Sequence, residues 1–205
     1  MSAAPAETLA AALAARSGPG AARRIVAVAG PPGAGKSTFA EALCAALEAR
    51  LPGLAVLVPM DGFHLDNAVL GDLLPRKGAP ETFDVVGLHG TLARIRADDG
   101  SVAVPVFDRD LDLARAGARL VEPSHRVVLV EGNYLLLDEA PWTGLAGFFD
   151  ETVFLDVPEA ELRRRLVGRW LHHGRDAAAA TARAESNDLV NARRVMIGSR
   201  RADHT

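Results

Sequence analysis

Gly30-Pro31-Pro32-Gly33-Ala34-Gly35-Lys36-Ser37 is the stretch on which the fold turns. It matches G-x-x-x-x-G-K-[ST] at every fixed position and stands between a strand and a helix, where such a loop has to be. On its N-terminal side Arg24–Ala29 is a short β-branched run that reads as a buried strand. On its C-terminal side Lys36–Arg50 carries Phe39, Leu43 and Leu47 at helical spacing. Glycines allow backbone amides to turn inward around a phosphate, and the helix N-terminus adds a positive partial charge. Lys36 is placed to reach the β- and γ-phosphates of a nucleotide and the Ser37 hydroxyl to bind Mg²⁺, with Gly30, Gly33, Ala34, Gly35 and Thr38 completing the phosphate cradle. A Gly/Pro turn with an incidental lysine would match by chance in about 1% of chains of this length, from average residue usage.

Outward from the loop, three more continuous apolar runs read as buried strands, at residues 54–60, 127–130 and 152–157, with 195–197 as a shorter fifth. Helical spacing fills residues 66–74, 86–97, 159–171 and 177–190, and residues 102–107 read as an edge strand or an extended loop. Strands without in/out alternation, separated by helices, predict a parallel sheet covered on both faces. The fold class is therefore α/β, a three-layer α/β/α P-loop domain. No linker divides residues 1–205, so one domain is expected, with residues 1–22 as an N-terminal helical extension.

Composition narrows the function classes. The chain has 205 residues, 49% of them hydrophobic, and a net charge of -3, which excludes intrinsic disorder. The same charge gives no global attraction to nucleic acid or to an anionic membrane. Cys44 is the only cysteine, so a disulfide scaffold is excluded and a reducing, cytoplasmic compartment is expected. No run approaches the ~18 apolar residues of a spanning helix, so no membrane insertion is expected. Of the 23 basic residues only Lys36 and Lys77 are lysines, which singles out the loop lysine as a position where a planar guanidinium would not fit. It also removes the Asn-Lys-x-Asp element with which guanine-specific switches read their base.

Ligands of open α/β sheets gather outside the carboxyl ends of the strands. The second strand ends in Met60-Asp61-Gly62-Phe63-His64, where Asp61 is either a base for a substrate hydroxyl or an ordinary Asp-Gly turn residue. Residues 127–130 end in Glu131-Gly132-Asn133, the form of a Walker B element that positions Mg²⁺ directly or through water. In residues 159–171, Leu162, Leu166 and Trp170 share one face and Arg165 and Arg169 a neighbouring one continuing to His173. With Arg163, Arg164 and Arg175 this segment reads as a lid over ATP or as a solvated basic face.

Taken together, GPPGAGKST (30–38), MDGFHLDN (60–67), PETFD (80–84), PVFDR (105–109) and VEGNYLLL (130–137) resemble the phosphoribulokinase/uridine kinase superfamily, and within it bacterial proteins described as fructose transport system kinases. The resemblance implies a five-stranded parallel core in order 2-3-1-4-5, ATP with Mg²⁺, and transfer to a hydroxyl. It implies Asp61 as catalytic base, Phe63, His64 and Arg109 as acceptor contacts, Glu131 as the Walker B carboxylate, and the lid at about residues 159–190. Uridine kinases usually carry Tyr at the position of His64.

The expected activity is ATP-dependent phosphorylation of a small hydroxyl-bearing metabolite, a sugar such as fructose being favoured by resemblance. Asp61, Lys36, Arg165 and Arg169 are the expected catalytic residues. A nucleoside or pantothenate-type kinase is the alternative within the class, and an accessory NTPase without acceptor is the alternative from another class. His64 is a substrate contact or a hydrogen-bonded structural histidine, Arg76 and Lys77 an acid-binding pair or a soluble loop. A homodimer is left open as the assembly.

Overall fold

Four short apolar runs form a single parallel sheet in a computed structural model that describes residues 4–205. The first three positions of the expected N-terminal extension lie outside the described residues. The chain begins with α1 (Ala4–Ala14), β1 (Arg24–Ala29), α2 (Lys36–Arg50) and β2 (Ala55–Pro59), then α3 (Asn67–Leu70) and α4 (Val85–Ala97). A hairpin of β3 (Val102–Asp108) and β4 (Leu113–Val121) follows, then β5 (Val127–Gly132) and β6 (Glu151–Phe154). Helices α5 (Glu159–His172), α6 (Ala177–Arg183) and α7 (Leu189–Gly198) close the chain. Sheet order is β2-β5-β1-β6, and register pairs Val28 with Glu131 and Pro59 with Glu131.

Alternate residues of each strand face opposite layers, as strand geometry requires. Val26 and Val28 of β1 face α1, α2 and α5, while Ile25, Ala27 and Ala29 face α4 and the segment from Tyr134 to Leu137. Both faces of β1 and β5 are covered, which is why neither shows polar alternation. Full burial of each Val or Leu in such a core contributes about 1.5–3 kcal/mol before conformational entropy is subtracted.

Three sequence expectations change. The sheet has four strands, not five: residues 195–197 lie in α7, because Leu189, Ala192 and Val195 recur at helical spacing on the buried side. On the side of β6 away from β1, His204 makes an isolated parallel bridge to Val153. The helix expected over 177–190 is interrupted by a π-type turn, Ala184–Asp188, whose extra residue rotates Asn187 and Asp188 into the interior. The helix expected over 66–74 ends at Leu70 and continues as a 3₁₀ stretch, Gly71–Arg76.

Residues 102–107 form a strand, paired antiparallel with β4 and separate from the main sheet. The register shifts between Val104 and Val106, at Pro105, which has no N–H to offer a ladder. This hairpin crosses the turn that follows β2 so closely that a Cβ on Gly62 would lie 2.4 Å from the Pro105 carbonyl oxygen. The contact is with backbone and cannot be relieved by a rotamer change. Gly62→Ala is therefore expected to cost about 1–3 kcal/mol, measured as a lower denaturation midpoint. An unchanged midpoint would show that the hairpin yields freely.

Candidate active site

The loop between β1 and α2 is held from several sides. Gly30 has φ 144°, and a Cβ there would meet the Leu155 carbonyl oxygen at 2.8 Å, so only glycine allows the chain to leave β1 this close to β6. Gly35 occupies the cap of α2 with φ 93° and no side-chain cap, leaving the first amides of the helix to an anion. Lys36 opens α2, is buried, and donates from Nζ to the Pro31 carbonyl at 3.0 Å. Burial pulls its ammonium down to about 8, against the opposing pull of the Glu131 and Asp61 carboxylates. A buried lysine so poorly compensated is ready for phosphate oxygens.

Parallel register brings the other groups to the same edge. β2 ends at Pro59 and Asp61 follows in a 3₁₀ turn, while Glu131 is the penultimate residue of β5. Glu131 is buried and its carboxyl is raised to about 7, first by burial and then by the Asp61 charge, with Lys36, Arg109 and a hydrogen bond with Ser37 acting against the rise. Arg109, in the turn just after β3, donates from Nη2 to Asp61 Oδ2 at 2.8 Å.

Two adjoining cavities result. One of about 250 Å³ is lined by Gly33, Gly35, Lys36, Ser37, Thr38 and Glu131, together with Asp61, Arg109, Asn133 and Arg169. The other, of about 570 Å³, has His64, Lys77, Phe107 and Trp170 on its wall. Pro32, Asp61, Arg109, Asn133 and Arg169 belong to both. A phosphate pocket and a second, larger pocket thus meet at a carboxylate and two guanidinium groups.

Not every expected residue faces these cavities. Gly30 and Ala34 shape the loop from buried positions without lining either cavity. Phe63 is a buried residue of the core cluster that includes Met60, Phe83 and Tyr134 and lines neither cavity, so the expected acceptor contact is not supported by its position. Arg165 does not reach the cavity either. Its Nη1 donates to the Gly33 and Ala34 carbonyls at 3.1 and 3.2 Å while Nε binds Glu161, so it braces the loop from behind. One helical turn later Arg169 lines both cavities and pairs with Asp188 at 3.1 Å.

His64 lines the larger cavity with its ring 4.0 Å from that of Phe83 and 4.8 Å from that of Phe107, and its Nδ1 lies 2.8 Å from the Asp61 carbonyl. Burial lowers its pKa, opposed by Asp61 and assisted by Lys77 and Arg109. The folded protein therefore binds fewer protons here than the unfolded chain as pH falls through the ordinary histidine value near 6.5, and stability drops. Thermal melts between pH 7.5 and 5 should show a smaller loss for His64→Gln than for the parent, and parallel curves would remove His64 as a cause.

The wall also holds Lys77, for which the sequence left an acid-binding role or a soluble loop open, and Asp188, to which it gave no role. Lys77 donates to Asn67 and Asp112, and Asp188 accepts from Trp170 Nε1 at 2.6 Å as well as from Arg169. Asn187, Asp188 and Asn191 are buried, and the inward turn of the first two depends on the π-type insertion, which no local sequence signal marks.

The residues present suit a hard divalent cation. Ser37 and Glu131 supply oxygen donors in hydrogen-bond contact, and Asp61 adds a second carboxylate charge. Among the described residues no cluster of three or more His, Cys, Asp or Glu makes a self-sufficient metal cage. One or two protein oxygens, with phosphates and water supplying the rest, is the habit of Mg²⁺.

The chain is similar to several known proteins. No family model matches the sequence. A solved structure from Silicibacter sp. TM1040, described as a "putative fructose transport system kinase", is similar with a TM-score of 0.90 and 47% identity, covering 98% of each chain. YggC of Escherichia coli, named as an uncharacterized protein, is 40% identical over 187 residues, 88% of this chain and 76% of the relative. A Schizosaccharomyces pombe protein named as a "putative uridine kinase" is 34% identical over 182 residues, 82% of this chain and 76% of the relative.

Proposed function

Since this chain belongs to the phosphoribulokinase/uridine kinase superfamily of P-loop kinases, we propose that it is an ATP-dependent kinase transferring the γ-phosphoryl group to a hydroxyl of a small metabolite. The observation that carries the reading is the shared wall. Asp61, Arg109 and Arg169 separate a pocket built on the phosphate loop from a second pocket with room for an acceptor.

Gly33, Gly35, Lys36 and Thr38 hold the phosphates of ATP, and Lys36 faces their charge from a buried position. Ser37 and Glu131 would hold Mg²⁺, which supplies further neutralisation of the phosphate oxygens. An acceptor in the larger pocket presents its hydroxyl to Asp61. As the new oxygen–phosphorus bond forms, the bond from the γ-phosphorus to the bridging oxygen breaks and ADP leaves. Asp61 takes the hydroxyl proton, and Arg169 stabilises charge on the group in transit. Such transfer rests on positioning and electrostatics, so no covalent enzyme intermediate is needed. Arg165 serves through the loop: its two hydrogen bonds to Gly33 and Ala34 keep the cradle in shape.

A sugar such as fructose is the favoured acceptor class, supported by the description of the 47% identical bacterial structure. A nucleoside is the second reading, supported by the name of the yeast relative. ADP release from Mg·ATP, measured with a panel of sugars, nucleosides, pantothenate and glycerate, tests the assignment. Strong stimulation by one compound, with its phosphorylated product identified by mass spectrometry, is the expected result. Equal hydrolysis with and without every acceptor would turn the reading toward an accessory NTPase.

A further inference from the structure

The larger cavity carries more positive charge than its own carboxylates neutralise. Its wall holds five permanent cations, Lys77, Arg109, Arg169, Arg175 and Arg183, and three carboxylates, Asp61, Asp112 and Asp188. Each carboxylate is already engaged: Asp61 with Arg109 at 2.8 Å, Asp112 with Lys77 at 2.9 Å, and Asp188 with Arg169 at 3.1 Å. Asp188 also accepts from Trp170 Nε1. Arg175 and Arg183 are left without a carboxylate among the described residues.

These two are nevertheless arranged. Arg175 and Arg183 lie over the ring of Trp170, with the guanidinium carbons 5.1 and 5.4 Å from its centroid. Arg183 is fixed further by donating to the Pro75 carbonyl at 2.7 Å and the Lys77 carbonyl at 3.4 Å. Apart from the ring contact, Arg175 makes no side-chain hydrogen bond or ion pair among the described residues. A guanidinium held over a ring still has N–H groups to offer an oxyanion: Arg175 has all of its side-chain donors left, and Arg183 those that its two carbonyl contacts do not use. Neither arginine lines the phosphate pocket, so both serve the part of the larger cavity that the nucleotide side does not share.

We infer that the acceptor of this kinase is an anion, a hydroxy compound whose carboxylate or phosphate ester is held by Arg175 and Arg183 beside Trp170. The inference rests on the kinase reading above and narrows it. With a neutral acceptor the exposed Arg175 and the half-buried Arg183 would keep only water as their counter-partner on the cavity side. An anion gains charge-assisted hydrogen bonds. The volume of about 570 Å³ is within the range of small-molecule sites. Among sugars, the charged derivative is thereby preferred to fructose itself.

The test uses matched pairs: gluconate and glucose, fructose 6-phosphate and fructose, glycerate and glycerol, pantothenate and pantothenol. Binding is measured by calorimetry with the phosphate pocket filled by Mg²⁺ and a non-hydrolysable ATP analogue. At least one anion should bind tenfold or more tightly than its neutral partner. Carboxylate and phosphate pairs together show which anionic group is read. Arg175→Gln and Arg183→Gln should each remove most of that preference while analogue affinity stays within about twofold. Arg183→Lys should restore part of it, which a merely structural loss would not do. The inference is overturned if no anion outbinds its partner, or if the variants weaken the analogue instead. ADP release with the same pairs separates the two readings. An anion that binds selectively but is never phosphorylated removes the kinase reaction and leaves the anion site. A neutral compound phosphorylated as well as its charged partner keeps the kinase and removes the inference.

Discussion

Asp61→Asn is expected to lower the acceptor-dependent rate by about 10²–10⁴-fold while leaving the KM for ATP within about twofold. The asymmetry follows from position. Asp61 stands on the wall shared by the two pockets and acts on Lys36 only through its charge, whereas Lys36, Ser37 and the loop amides contact the nucleotide directly. Asparagine keeps the size and can still meet Arg109, so the hairpin end that Asp61 anchors should stay in place. What is lost is a basic oxygen for the hydroxyl proton. Steady-state kinetics with the preferred acceptor, together with nucleotide binding, checks both halves. An unaltered kcat would sink the role of Asp61 as base; a large loss of ATP affinity would make it a structural residue of the phosphate pocket.

The second large effect concerns the buried lysine. Lys36→Met should lower kcat/KM for ATP by about 10²–10³-fold, the scale on which a single preorganised charge acts at transferring phosphate. Folding should suffer far less. Lys36 is held near a pKa of about 8 chiefly by its own burial, so its ammonium is desolvated in the nucleotide-free protein. Methionine fills a similar volume and removes that cost, although it also leaves Glu131 without the cation that most opposes the rise of its pKa. A melting temperature close to that of the parent beside a collapsed kcat/KM is the expected pair of results. Normal turnover in the variant would remove Lys36 from the chemistry.

Parts of this site were legible because they are local. The turn from β1 into α2 needs consecutive residues only, and the strand, glycines and lysine all sit in one short segment. Glu131 was legible for the same reason, as the carboxylate that ends an apolar run. β4 was not, because Leu113–Val121 alternates weakly and is largely exposed, its strand character coming from pairing with β3. Phe63 and His64 are neighbours in one motif, yet one enters the core and the other the cavity wall. The 3₁₀ turn and the crossing of Pro105 over Gly62 decide which is which.

The arginines of α5 show the same limit. Arg165 and Arg169 are one turn apart on one helix face, and helical spacing makes them equivalent. The path of α5 past the phosphate loop separates them: one meets the loop's carbonyls, the other the cavity.

Sequence by itself determined the phosphate loop, the parallel α/β architecture and the residue types that phosphoryl transfer requires, since these follow from local backbone needs and from hydrophobic periodicity. Only the tertiary structure decided which side chains share a cavity and how many strands the sheet has. It alone also decided that Arg175 and Arg183 stand over Trp170 with no carboxylate partner among the described residues. Those outcomes depend on register, crossing and helix path between segments far apart in the chain, and no window of neighbouring residues contains them.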